Sequence, residues 1–207
     1  MLMSVRHRVL SGVLAGTAML LAGCAVPGQP APPGAAAVYE GHTVTNQRVS
    51  MLEDAWSDEA AEPAGRRNVI TLELMREPLA AATGQINYEY HRTQAVQQAK
   101  AVLRAQGVQT EPSEELVDAI EAALLLAAFT LLPEDLSALQ SVAEQVEAEA
   151  ATNPRTGDFS AEAFMASAQQ AVQLATATAN QGSPVWFVKF STVNGLTDPD
   201  APWLATE

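Results

Sequence analysis

The sequence predicts a mainly α-helical domain, a bundle of about five to six helices in which a small β element joins an N-terminal hairpin to a C-terminal strand. Alanine supplies 39 of the 207 residues and aromatics only 5%, a composition suited to packed helices rather than to a β-sandwich. Apolar residues recur three and four apart through most of the chain, the spacing that builds one helical stripe. β-branched and aromatic residues gather near Val38 and near Val185, where strands are expected.

Charge and cysteine content exclude several functions. The chain carries 11 Lys+Arg against 24 Asp+Glu, a net charge of -13, the opposite of what a phosphate-tracking surface needs, so no nucleic-acid partner is expected. Its single Cys excludes an internal disulfide framework and any Cys-based zinc finger.

Residues 1–23 read as an export signal. MLMSVRHR holds two Arg and no acid, and an uncharged run from Val9 to Ala22 follows it. About 14 residues are too few to cross a bilayer core, which takes about 20. The run ends in Leu21-Ala22-Gly23-Cys24, which resembles the lipobox of bacterial lipoproteins at all four positions. The resemblance implies cleavage before Cys24, a diacylglyceryl group on its thiol, and a palmitate-type acyl chain on the new N-terminus. It also implies an extracytoplasmic place, anchored to the bacterial cell membrane through Cys24. Two or three acyl chains hold a protein durably where one holds it reversibly. Cleavage would leave 9 basic against 24 acidic residues, a charge of -15.

Residues 24–37 are rich in Pro, Ala and Gly, without charge, and read as a tether of polyproline character reaching about 40 Å. Residues 38–190 then form the packed domain. Val38 to Val44 holds Gly41 between two short apolar pieces, a minimal hairpin. Thr45 or Asn46 can cap a helix whose stripe is Val49, Leu52 and Trp56. The next helix runs from about Arg66 into the low 80s with a broad apolar face, and Pro78 should bend or divide it. Gly84 ends it, and Ile86 to Tyr90 is ambiguous. A further helix carries Val96, Ala99, Val102 and Leu103 and stops at Gly107.

Ser113, with Glu114 and Glu115 in the first turn, caps the following helix. Its far half, AALLLAAFTLL from Ala122 to Leu132, is apolar on nearly every face: either the central buried helix or a surface kept for a partner. Pro133 in a first-turn position opens a helix with Leu136, Leu139, Val142 and Val146 inward. After the turn cluster Asn153–Gly157, Asp158 or Ser160 caps a helix bearing Phe164, Ala168, Val172 and Ala175. VWFVKF, Val185 to Phe190, reads as a strand that should pair with the Val38 hairpin, and residues 191–207 as an irregular tail.

Chemical motifs are missing. His42 and His91 stand 49 residues apart with no helical His pair, no Gly-x-Ser-x-Gly, Ser-x-x-Lys, P-loop or Gly-x-Gly-x-x-Gly occurs, and carboxylate pairs such as Glu114 and Asp118 fall on helix faces expected to be solvated. Neither catalysis, a metal nor a cofactor is therefore expected.

The segment Ala37-Val38-Tyr39-Glu40-Gly41-His42-Thr43-Val44-Thr45, followed by Val49 on a helix and a second helix with a Leu-rich face, resembles the entry of the SurA-type chaperone domain. The similarity extends loosely to about Ala151, with Val185–Phe190 as the closing strand, and Glu40-Gly41 stands where the family more often has Asn-Gly. No stretch offers the motifs of the parvulin prolyl isomerase module that often accompanies it. The resemblance implies a non-catalytic chaperone or foldase-like lipoprotein whose partners are unfolded or nascent exported proteins. Met51, Trp56, Met75, Tyr88 and Tyr90 are candidates for a client-binding lining, because Met and aromatic side chains adapt to many sequences. Each also sits where a core residue would. The alternative is an adaptor or structural envelope lipoprotein docking to one protein through the Leu124–Leu132 surface. A concave apolar groove favours the first, a flat patch the second.

Overall fold

The computed structural model describes residues 30–199; the expected signal, Cys24 and the first part of the expected tether lie outside the described residues. The chain is mainly helical with one small sheet, as composition and periodicity predict. Strands β1 (Ala35–Tyr39) and β2 (His42–Thr45) form the hairpin, and β3 (Ala151–Thr152) pairs antiparallel with the other edge of β1, giving the order β2-β1-β3. The connecting residues Glu40 and Gly41 both take positive φ, 46° and 81°, the geometry of a two-residue turn that matches strand twist.

The domain starts earlier than its composition suggests. Ala31 is buried and its N–H donates to the Thr152 carbonyl at 3.0 Å, and Ala35, Ala36 and Ala37 are buried in β1. Poverty in bulky side chains argued for a solvated tether, but small methyl groups are what let a strand be covered closely on both faces.

Helix α1 (Asn46–Asp54) is capped by Thr45, whose side-chain oxygen accepts from the Arg48 N–H at 3.0 Å. It runs without interruption into a π turn, Ala55–Glu59, that buries Trp56. From this turn the Glu59 carboxylate accepts from the Ser113 N–H at 3.1 Å and from its hydroxyl, tying the end of the first helical segment to the start of α4. Helix α2 (Arg66–Ala82) buries Val69, Ile70, Leu72, Leu74, Met75 and Leu79 and passes through Pro78 undivided. Helix α3 (Arg92–Ala105) ends just before Gly107 at φ +78°, as expected of a C-terminal glycine.

Helix α4 (Glu114–Leu131) is the centre of the bundle, packed on α2, α3 and the C-terminal segment. Ser113 caps it, accepting from the Leu116 N–H at 3.0 Å. Its apolar half is core through Phe129, whereas Leu131 and Leu132 are exposed. Helix α5 spans Ser137–Glu149, opening four residues later than Pro133 suggests, because the Asp135 carboxylate accepts from the Ser137 N–H at 2.9 Å and sets the start there. Helix α6 (Ala161–Asn180) is capped by Ser160, which accepts from the Ala163 N–H at 3.3 Å.

One expectation at the C-terminus is overturned and another gains detail. VWFVKF is not a strand: Trp186–Thr192 forms a 3₁₀ helix, and Phe187, Phe190 and Val193, three apart, share its buried face. The edge of β1 that it was to close is taken by β3, so the run had no ladder to join and buried its aromatics against α4 and α6 instead. Residues 192–199 of the expected irregular tail lack regular strands or helices beyond Thr192, but they are packed onto the domain. Val193 and Leu196 are buried, Phe159 and Leu196 form an antiparallel bridge, the Arg67 guanidinium donates to the Leu196 carbonyl, and the Gly195 N–H donates to the buried Thr71 hydroxyl at 2.9 Å. Gly157 permits this: a Cβ there would stand 1.7 Å from the Thr197 carbonyl oxygen.

Candidate functional site

The five residues expected to line a client cradle do not assemble. Trp56 is 1% and Met75 0% exposed, both within the main core, so neither can meet a ligand without unfolding. Met51 is 39% exposed on the outer face of α1, apart from the others. Only Tyr88 and Tyr90 come together, in the connection before α3, with ring centroids 6.5 Å apart. Tyr88 donates to the Gln94 side-chain oxygen at 3.1 Å. The Tyr90 hydroxyl is buried without a hydrogen-bond partner among the described residues, and burial, then the nearby Glu121 carboxylate, pushes its pKa well up. Met and aromatic side chains on helical stripes usually pack inward, and the core claimed two of these five.

Glu121 belongs to a network that ties four segments together. Arg92 meets Asp118 at 2.6 Å, Glu121 at 2.8 Å and Glu114 at 2.8 Å; Arg76 meets Glu73 at 3.3 Å and Glu121 at 3.4 Å; Arg48 bridges Glu73, at 3.3 Å, and Asp118. Burial alone would raise the Asp118 pKa, but hydrogen bonds from Arg92 and Arg48, with their charges, outweigh it and hold the carboxyl below its ordinary value. Glu114 is on a solvated face as expected, 84% exposed, whereas Asp118 is only 17% exposed and partnered by two arginines. Opposite charges fill one another's hydrogen bonds here, and the arrangement fastens α1, α2 and α3 onto α4.

Two clefts lie beside the hairpin, and the larger is polar. The larger, about 340 Å³, lies between the turn of the hairpin, α2 and α5, with Tyr39, Glu40, Glu77 and Gln145 among its walls. Burial, then the charges of Glu40 and Glu149, pushes the Tyr39 phenol up to about 12.

A third cleft, about 390 Å³, lies between the α4–α5 connection and α6. Pro133, Leu136 and Val172 give it an apolar floor, and Gln169 and Gln173, one helical turn apart, supply amides along one wall. Glu134 and Asp135 form the rim. Immediately before Pro133, Leu131 and Leu132 stand 42% and 59% exposed at the tip of α4. The Asp135 carboxyl is held below its ordinary value by the hydrogen bonds it accepts from Ser137. Leu174 is also exposed, but its position along α6 places it on the flank away from Gln169 and Gln173. A signal for this site was present in the sequence: the apolar run of α4 continues two residues past Phe129 and Thr130 up to Pro133, longer than the core requires.

Among the described residues no group of three or more His, Cys, Asp and Glu is placed to hold a metal ion, and no helix is long and apolar enough to cross a membrane. Comparison with family models, curated proteins and solved structures found no match to this chain.

Proposed function

We propose that this protein is a lipid-anchored, non-catalytic, SurA-like chaperone of the extracytoplasmic space, which holds apolar segments of unfolded exported polypeptides at the cleft between the α4–α5 connection and α6. The observation that carries the reading is the exposed pair Leu131 and Leu132 beside a concave apolar floor, on a domain whose other large apolar side chains are mostly packed inward. Exposed leucines adjoining a cavity offer a client burial that a flat polar face cannot. The two Gln amides can donate to and accept from an extended backbone without selecting its side chains. Lipidation at Cys24 would keep the domain where exported chains emerge.

The test is suppression of aggregation of a denatured client by the mature chain. Suppression that Leu132→Glu weakens supports the reading; no suppression at several-fold molar excess refutes it. The small size of the Leu131–Leu132 patch favours a second reading, an adaptor docking to one envelope protein. That reading predicts a stoichiometric complex with a single folded partner and no effect on aggregation. Acyl labelling lost in Cys24→Ala would establish the anchor.

A further inference from the structure

We infer that the cleft between the α4–α5 connection and α6 selects polypeptide segments in which apolar residues are accompanied by Lys or Arg. This rests on the proposed polypeptide-binding function and names the kind of segment bound.

The cleft sets charge of one sign beside an apolar floor. Between Arg104 and Lys189 the chain carries 12 carboxylates and a single cationic residue, Arg155. This stretch builds α4, α5 and α6, all the walls of the cleft. Arg155 lies in the turn beyond the far end of α5, so the 13-residue helix separates it from the cleft by about 20 Å, more than twice the screening length of about 8 Å at physiological salt. Most cations elsewhere are paired with carboxylates: Arg48, Arg76 and Arg92 within the network, Arg66 with Glu53, Arg67 with Asp198, Lys100 with Glu111 and Lys189 with Glu62. Arg104, which donates to the Lys100 carbonyl at 3.1 Å at the end of α3, is the exception, and it does not line the cleft.

Glu134 and Asp135, by contrast, have no cationic partner among the described residues, and no cationic residue lines the cleft. Pro133, Leu136 and Val172 accept an apolar side chain below this rim. A segment with an apolar residue seated on the floor and a Lys or Arg at the rim satisfies both. An acidic segment meets only like charge.

The experiment measures binding of three labelled peptides to the full mature chain by fluorescence anisotropy. They share a Leu/Ala/Gln sequence and differ only in carrying two Lys, two Gln or two Glu at the same positions. The Lys peptide is expected to bind about fivefold more tightly than the neutral one, the Glu peptide more weakly, and about 0.5 M salt should erase the difference. Glu134→Gln should reduce the preference and Glu134→Lys reverse it, with helical content unchanged because the position is exposed. Binding of all three peptides with equal affinity overturns the charge selection and leaves the functional reading standing. A preference unchanged in both Glu134 variants also overturns it, since the selection would then arise elsewhere. If no peptide binds at all, the functional reading falls first and the inference with it.

Discussion

Gly157→Ala tests whether the segment after Ser191 is part of the folded body. Gly157 has φ +84°, and a Cβ placed on it would lie 1.7 Å from the Thr197 carbonyl oxygen and 2.8 Å from its carbon. Both are backbone atoms, so no side-chain rotation relieves the overlap. The 195–197 strip must move, and three hydrogen bonds go with it: Thr197 N–H to the Asp158 carbonyl at 2.8 Å, Ser160 N–H to the Gly195 carbonyl at 2.7 Å, and Asp158 N–H to the Thr197 hydroxyl at 3.1 Å. At about 1 kcal/mol each, with about 1 kcal/mol of left-handed backbone strain and partial exposure of Leu196, the loss is about 3–5 kcal/mol. Gly182→Ala isolates the strain, because Gly182 has φ +80° and nothing within 4 Å of its would-be Cβ. It should cost about 1 kcal/mol. Urea unfolding measures both variants, and hydrogen exchange at the Thr197 amide locates the damage. Equal losses within about 0.5 kcal/mol, or a Thr197 amide as protected in Gly157→Ala as in the parent, would refute the reasoning.

Other perturbations test the hairpin, the ion-pair network and the placement of the methionines. Glu40→Asn should stabilise by about 0.5–1 kcal/mol in urea unfolding, because Glu40 holds φ 46° and Asn tolerates that region better; destabilisation would contradict the turn geometry. Asp118 has a folded pKa below its ordinary 3.8, so its contribution is fully present above that value and is lost as pH falls through the folded pKa. Asp118→Asn should therefore cost about 1–3 kcal/mol near neutrality, and flatten the loss of stability below about pH 4; an unaltered acid limb in a pH series of unfolding curves counts against the network. Met75→Ala should cost about 2–5 kcal/mol through an unfilled core cavity, whereas Met51→Ala should stay within about 0.5 kcal/mol; comparable thermal shifts for the two would contradict their burial.

Much of the fold was legible because local rules and tertiary demands coincide. Thr45, Ser113 and Ser160 cap helices as their side-chain chemistry suggests, and Gly107 closes α3. The all-apolar half of α4 is buried through Phe129, as a central helix should be. Pro133 misled because Asp135 offers a competing start two residues on, through a local side-chain bond. Of the site, Leu136 and Val172 were visible as members of helical stripes, but their meeting across a cleft was not, since α5 and α6 are brought together by packing rather than by sequence proximity. The five residues expected to line a cradle shared a chemical type without sharing a place.

Helical class, cap positions, the hairpin and the acidity of the second half of the chain follow from the sequence by itself, since each depends on residues within one or two turns of one another or on composition alone. The tertiary structure decided the fate of segments whose local signals fit more than one state. VWFVKF has the composition of a strand, but β3 occupies the only edge of β1 left open to it, so its three-residue spacing was realised as a 3₁₀ face. Ala35–Ala37 has the composition of a tether, but neighbours cover both its faces. The Leu131–Leu132 pair belongs to a core-like run, but the bundle ends before reaching it. In each case burial was settled by which surfaces remained to be covered, a property of the whole assembly that no local window contains.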